Sequence, residues 1–297
     1  MAIEPLPRDR DTLHPLAGSL ERLQRSLGLA RPDTLAVEEP LEIRVGGKSL
    51  VVTMRTPGND VELAAGFLVS EGVLTGADDL VTARYCAGTG ADGANTYNVL
   101  DIVLAAHVAP PAPELARSFT TTSACGVCGK DSIDAIAIRS SFGVADDPLT
   151  ISVAALLEFP ARLRDHQSVF DKTGGLHAAA LFDGRTGELV VVREDVGRHN
   201  AVDKVIGWAL TQGLLPLRGH ILQVSGRASF ELVQKAVMAG IPMLSAVSAP
   251  SSLAADLADD SGLTLLGFVR GDSLVAYTRP DRLSANNVES LTSPDPS

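Results

Sequence analysis

Two cysteines, Cys125 and Cys128, stand in "TTSACGVCGK" (residues 121–130), and the chain has one other, Cys86. A pair at this spacing can hold a metal, exchange a disulfide or carry a sulfur atom. Ser123 or Thr122 can cap a helix here, because "KDSIDAIAIRSS" continues at helical spacing. A thiol at a helix start feels the partial positive charge of unpaired N–H groups, which lowers its pKa and enlarges its thiolate fraction. Gly126 and Gly129 leave space for a partner molecule to approach. The competing reading is a pair of small buried residues, and the flanking glycines weigh against it.

A structural zinc ion needs four protein ligands. Cys86 and the six histidines would have to complete the set, and no two histidines form a close ligand pair. A zinc deaminase carries His-x-Glu upstream of Pro-Cys-x-x-Cys. Here Ala124 stands where that proline would be, and no histidine or cysteine has a glutamate two places on. No protein-ligated zinc is therefore expected. A thioredoxin-like dithiol fits the spacing, although such folds place the pair early, after a first strand. Spacing alone leaves redox work and sulfur transfer both open.

The densest polar stretch is "VVREDVGRHNAVDK" (191–204). It reads either as a solvated strand-to-helix turn capped by Asp195 or Asn200, or as a binding element. In the second reading Arg198 and Lys204 clamp an anion and His199 handles a proton. "SGRASFELVQKA" starts a helix after a strand, so Ser225, Gly226 and Arg227 form a possible anion site, and "SAPSS" (248–252) repeats the pattern. The first of these lacks the Gly-Lys-Ser/Thr ending of a Walker loop.

The elements that position these residues are read from periodicity. "LEIRVGGKSLVVTMRTP" reads as two strands around Gly46-Gly47, and "NDVELAAGFLVSEGVL" as a helix capped by Asn59 or Asp60. "NTYNVLDIVLA" is a strand, and residues 105–120 form a connector. "GLHAAALFD" and "ELVVVRED" pair around "GRTG"; "NAVDKVIGWALTQG" is a helix with Asn200 as cap and Gly213 as stop. "HILQVSG", "IPMLSAVSAP", "TLLGFVRG" and "SLVAYT" are strands, with helices over "RASFELVQKAVMAG" and "SSLAADLADDSG". Such alternation predicts an α/β sheet with parallel members, whose ligands sit beyond the carboxyl ends of the strands.

The 297 residues suffice for one large domain or two modest ones. With aromatic residues at only 4%, the core rests on Ala, Val, Leu and Ile, and a stacking surface for single-stranded nucleic acid is lacking. A net charge of −11 argues against a nucleic-acid binder or a basic membrane-surface protein, but not against a local cationic pocket. No apolar run approaches the roughly 20 residues that span a bilayer, and "MAIEPLPRDR" lacks a signal-peptide core. A cytoplasmic location is expected. The expected organisation is a loosely ordered segment 1–35, an N-terminal β/α part 36–119, an α/β domain 120–280 with the cysteine loop, and a disordered tail 281–297.

Taken in order, "RTPGNDVELAAGFLVSEGV", "CGVCGK", "TGGLHAAAL", "REDVGRHNAVDKVIG", "SGRASFELVQKA", "GIPMLSAVSAPSSLA" and "GFVRGDSLVAYT" resemble the formate dehydrogenase accessory sulfurtransferases over residues 40–278. The resemblance implies a cytidine-deaminase-like mixed sheet with helices on both faces, without the deaminase zinc site, plus a smaller N-terminal β/α part. It implies a cytoplasmic homodimer that takes persulfide sulfur from a cysteine desulfurase. The sulfur goes to the bis-molybdopterin guanine dinucleotide molybdenum cofactor, bound as substrate, which then enters formate dehydrogenase. Carried onto this chain, Cys125 bears the persulfide and Cys128 matches the second cysteine of the motif. Phe268, Val269, Arg270, Gly271, Asp272 and Ser273 match the cofactor-contact segment. Two rival functions are a cofactor-binding chaperone without sulfur transfer and a dithiol oxidoreductase.

Overall fold

A computed structural model describes residues 2–3, 13–15, 34–86, 97–111 and 140–284. Cys125, Cys128, the helix expected after them, most of the segment 1–35 and residues 285–297 of the expected tail 281–297 lie outside the described residues; residues 281–284 of that tail are instead structured, with Arg282 buried and Leu283–Ser284 paired to Ile151–Ser152.

The N-terminal part is a sheet with one helix. After the short strands β1 (Ala2–Ile3), β2 (Leu13–Pro15) and β3 (Thr34–Ala36) come β4 (Glu39–Val45) and β5 (Lys48–Arg55). β4 and β5 pair antiparallel through Gly46-Gly47, whose φ values are 56° and 79°. Two positive φ angles in a two-residue loop are what a type I′ hairpin needs, and glycine supplies them without strain. Helix α1 (Asp60–Ser70), β6 (Leu80–Tyr85) and β7 (Val99–Leu104) come next, giving the strand order β1-β6-β7-β4-β5. Asn59 occupies the cap position of α1 but caps nothing: its backbone is left-handed (φ 58°) and its side chain makes no cap hydrogen bond.

The second part opens with β8 (Ile151–Ser152), α2 (Val153–Asp165) and α3 (Ser168–Thr173). The sequence reading passes over both helices; Pro160 sits inside α2, where proline argues against a helix. Next come β9 (His177–Asp183), β10 (Leu189–Asp195), α4 (Arg198–Thr211), β11 (His220–Val224), α5 (Phe230–Met238), β12 (Met243–Ala246) and α6 (Ser252–Ser261). β13 (Thr264–Arg270), β14 (Ser273–Ala276) and β15 (Leu283–Ser284) close the described chain. The six-stranded order is β10-β9-β11-β12-β13-β14. β11, β12 and β13 run parallel; β9 and β14 run antiparallel to their neighbours.

Alternation along these strands builds two apolar layers. Ala179, Leu181, Leu222, Val224, Leu244 and Leu265 face a core shared with α1, α4, α5 and α6. Ala178, Ala180, Phe182, Ile221, Met243 and Leu266 face Leu156, Phe159 and Leu163 of α2, with the Phe159 and Phe182 rings stacked at 3.9 Å. Helices thus cover both faces, as expected of the fold class. The first core runs without a break into Leu41, Ile43, Leu100 and Ile102 of the N-terminal sheet.

Helix α1 is buried on nearly every side, which only an apolar helix tolerates. It crosses α4 backbone to backbone. A Cβ at Gly66 would stand 1.8 Å from the Asp203 carbonyl oxygen, and one at Gly207 would stand 1.8 Å from that of Glu62. Each glycine is therefore required by its neighbour's backbone.

Candidate functional site

The carboxyl ends of β10, β11, β12 and β13 converge with the start of the antiparallel β9. Beyond β11 and β12 the chain bends at residues 225–226 and 247–248, and the two loops stay joined by a bridge between Ala228 and Pro250. Val247 N donates to Val224 O (3.3 Å), Ser248 N to Gly226 O (3.3 Å) and Ser251 N to Ala228 O (3.1 Å). Phe268 N donates to Ser248 O at 3.3 Å, which attaches the β13 end to the same platform. Open α/β sheets place ligands at this edge.

This geometry corrects one expectation. The helix after β11 begins at Phe230, not at Ser225. Ser225 Oγ instead accepts from Ala178 N at 2.9 Å, tying the loop to β9. "SAPSS" does start a helix, and Ser251 Oγ accepts from Ala254 N at 3.2 Å, so it is an ordinary cap.

The stretch 191–204 divides sharply. Most of its charge is structural. Asp195, fully buried, accepts from Thr56 N (3.1 Å), Gly197 N (2.8 Å) and Asn200 Nδ2 (2.9 Å) and pairs with Lys204 Nζ at 2.7 Å. Lys204, 1% exposed, also donates to Thr56 O at 2.9 Å. It cannot clamp an external anion, contrary to the sequence reading. Asn200 is likewise no cap: Gly197 holds that position, and Asn200 Nδ2 also donates to Met54 O at 2.8 Å. Arg193 grips Glu62 through two bonds of 2.5 and 2.8 Å, and Asp203 pairs with Lys235 while accepting from Ser70 Oγ at 2.8 Å. These bonds join the N-terminal part to the six-stranded sheet.

Arg198 and His199 remain. They form the first turn of α4, which carries no acidic residue there. Arg198, a fixed cation at the positive end of a helix, adds to the macrodipole there, so the fold places local positive potential at the strand ends of an acidic chain. His199 Nε2 lies 2.5 Å from Glu231 Oε2 and 3.3 Å from Ser229 Oγ at the start of α5. That hydrogen bond from His199 holds the Glu231 carboxyl below its ordinary range. Arg198 Nε is buried with no partner among the described residues. His177, heading β9, titrates below an ordinary histidine, first because it is partly buried and then because Arg198 and His199 repel its charged form. Arg227 is exposed on the loop after β11.

Phe268 to Ser273 form the β13–β14 hairpin at the same edge. Phe268 takes φ +53°, costly for a bulky residue, within a bulge between Gly267 and Arg270. The Arg270 guanidinium lies 5.7 Å from the Phe268 ring centroid. Arg270, Gly271, Asp272 and Ser273 are exposed. Val269 is not: its side chain is fully buried in the α2-side core, so it can offer a ligand only its backbone. Cys86 sits half-exposed just after β6, with its N–H bonded to Val99 O at 2.9 Å. Among the described residues no cluster of His, Cys, Asp and Glu is arranged to hold a metal ion, and no helix is long and apolar enough to cross a membrane.

Sequence reasoning did not single out His177 or Glu231. A histidine heading the apolar run "HAAALF" was the available signal for the first. Nothing local marks the second, because its partner His199 lies on another helix.

Residues 36–284 match the FdhD/NarQ family. The sulfur carrier protein FdhD of Mycolicibacterium paratuberculosis is 62% identical over 86% of this chain and 93% of its own length. That of Streptomyces coelicolor is 60% identical over 86% of this chain and 90% of its own length, and that of Anaeromyxobacter dehalogenans is 49% identical over 91% and 95%. A provisionally assigned formate dehydrogenase accessory protein from Desulfotalea psychrophila superposes with a TM-score of 0.68 at 24% identity, covering 86% of this chain and 93% of that one; it has the same fold.

Proposed function

Since this chain belongs to the FdhD/NarQ family, we propose that it is a sulfurtransferase serving formate dehydrogenase, with Cys125 as the persulfide carrier. Relatives of 49% to 62% identity, each matched over at least 90% of its own length, are named sulfur carrier proteins, and this supports the reading. From the fold itself, one observation carries it: Arg198, in the first turn of α4, lies at the same edge of the six-stranded sheet as the Phe268–Ser273 hairpin, whose Arg270 is exposed. An acidic protein with such a spot is suited to an anionic ligand, and bis-molybdopterin guanine dinucleotide carries phosphates in both arms.

The sulfur steps balance with the two cysteines and a cellular dithiol as reductant. The Cys125 thiolate attacks the terminal sulfur of a cysteine desulfurase persulfide; the desulfurase thiolate leaves, and Cys125 carries S–SH. The Cys128 thiolate then attacks the inner sulfur, and hydrosulfide departs as a Cys125–Cys128 disulfide forms. The two thiols supply the two electrons, and a cellular dithiol restores them. The sulfide goes to the bound cofactor, which is the substrate. Cytoplasmic location and a homodimer that shares one two-armed cofactor belong to the same proposal.

The test is restoration of formate dehydrogenase activity in cells lacking their own sulfur carrier. The wild-type chain restores activity, and Cys125→Ala does not, while remaining folded and abundant. Full restoration by a variant lacking both Cys125 and Cys128 would replace sulfur transfer with a cofactor chaperone.

A further inference from the structure

Helices α4 and α5 are joined by two rungs of charge. His199 and Asp203 stand one turn apart on α4, and Glu231 and Lys235 stand one turn apart on α5. The inner rung joins Lys235 Nζ to both Asp203 oxygens, at 2.8 and 2.9 Å. It is buried, and Ser70 Oγ of α1 donates to the same carboxylate. The outer rung joins His199 Nε2 to Glu231 Oε2 at 2.5 Å. Here the Glu231 side chain is 59% exposed, and this contact is its one hydrogen bond among the described residues.

The two rungs differ in what it costs to open them. Parting the inner pair would leave buried charge without compensation. The outer pair is open to water, so its parting strands nothing. Glu231 would also keep an attractive neighbour. Lys235 has committed two of its three N–H bonds to Asp203 and lies one turn further along the same helix. After the contact with His199, the charges of Lys235 and Arg198 help to hold the Glu231 carboxyl below its ordinary range. The carboxylate therefore sits on His199 and within Coulomb reach of Arg198, at the edge where an anionic ligand would arrive.

We propose that Glu231 is a built-in counter-ion of the strand-end site: it occupies His199 in the free protein, and an anionic ligand takes its place while Glu231 swings toward Lys235. The exchange limits affinity, because the ligand must break a charge-assisted hydrogen bond before it makes its own. It also assists release, because the returning carboxylate competes for His199. A carrier that passes its cargo on needs both. The inference rests on the proposed function, which puts an anion at this edge, and adds a residue that governs how tightly the anion is held.

The experiment is calorimetric titration of the full chain with pyrophosphate over a double-mutant cycle of Glu231→Gln and His199→Ala. Glu231→Gln keeps the shape and removes the charge, and it is expected to tighten binding about tenfold, the worth of the bond that the ligand no longer breaks. With His199→Ala already in place the carboxylate has nothing to occupy, and the same replacement is expected to change affinity by less than about twofold. Glu231→Ala serves should the glutamine amide rebuild the contact with His199, and circular dichroism checks that each variant is folded. Weaker binding by Glu231→Gln overturns the inference and makes Glu231 an orienting partner of His199. Unchanged affinity in both Glu231 variants also overturns it, as does equal tightening with and without His199, which is plain repulsion. A wild-type chain that binds no pyrophosphate overturns it together with the anion site. Failure of Cys125 to load sulfur would instead sink the sulfurtransferase reading and leave the counter-ion standing.

Discussion

Replacing Lys204 by methionine separates a structural seam from an anion clamp. In the seam, Asp195 is fully buried and its carboxylate is held by three neutral donors plus the Lys204 ammonium at 2.7 Å. Removing one partner of a buried pair costs about 3–5 kcal/mol, because the other charge stays buried without compensation. The three remaining donors put this case near the lower figure, about 3 kcal/mol. For a chain of this size each 1 kcal/mol moves the melting midpoint by roughly 2–4 °C, so Lys204→Met is expected to melt roughly 6–12 °C lower. Pairing it with Asp195→Asn removes the orphaned charge and is expected to recover part of that loss, a coupling that a double-mutant cycle reads directly. Thermal unfolding monitored by circular dichroism is the assay. A Lys204→Met protein that melts within about 2 °C of wild type and only binds pyrophosphate less well would refute the reasoning and restore Lys204 to ligand binding.

Other outcomes rest on the same packing and electrostatics. Burial, aided by the carboxylates of Asp203 and Glu231 against Lys235, pushes Glu71 up to about 6. A raised carboxylate pKa favours folding below the unfolded value near 4.5 and loses that contribution as pH rises through 6, so the ionised group opposes folding at pH 7.5. Glu71→Gln is therefore expected to stabilise by about 1–2 kcal/mol at pH 7.5, with the gain vanishing near pH 4.5; denaturant midpoints across that range check it. Gly207→Ala drives a methyl into the Glu62 carbonyl and is expected to cost at least about 3 kcal/mol or to prevent folding, whereas Gly187→Ala, with open space around it, costs only the strain of its φ of +71°. Arg198→Ala is expected to lower pyrophosphate affinity about tenfold with the melting midpoint unmoved, since its Nε has no partner to lose; isothermal titration measures it.

Local pattern carried most of the second sheet. Alternation in "HAAALFD" and "LVVVRED", glycines at the turns, and Ser251 ahead of α6 each reflect forces acting within a few residues. Long-range partners did not show. "REDVGRHNAVDK" reads as a solvated turn because its charges are dense, yet Asp195, Asp203 and Lys204 are buried against Thr56, Ser70 and Lys235. Nothing near residue 204 in sequence announces a carbonyl from residue 56. Likewise "SGRAS" carries helix-start residues, but Ser225 is engaged by β9, and the helix waits until Phe230. The hairpin "FVRGDS" was legible as strand and turn, while the bulge between Gly267 and Arg270, the burial of Val269 beside an exposed Arg270, and the approach of Pro250 and Tyr277 to Gly267 involve residues distant in sequence.

Sulfur carriage by Cys125 is tested most directly by intact mass spectrometry after incubation with an active cysteine desulfurase and cysteine, alongside Cys125→Ala. The account predicts a gain of one or more sulfur atoms in the wild-type chain, reversed by a thiol reductant and absent from the variant. An unchanged mass in the wild-type chain, or equal sulfur uptake by Cys125→Ala, would contradict it.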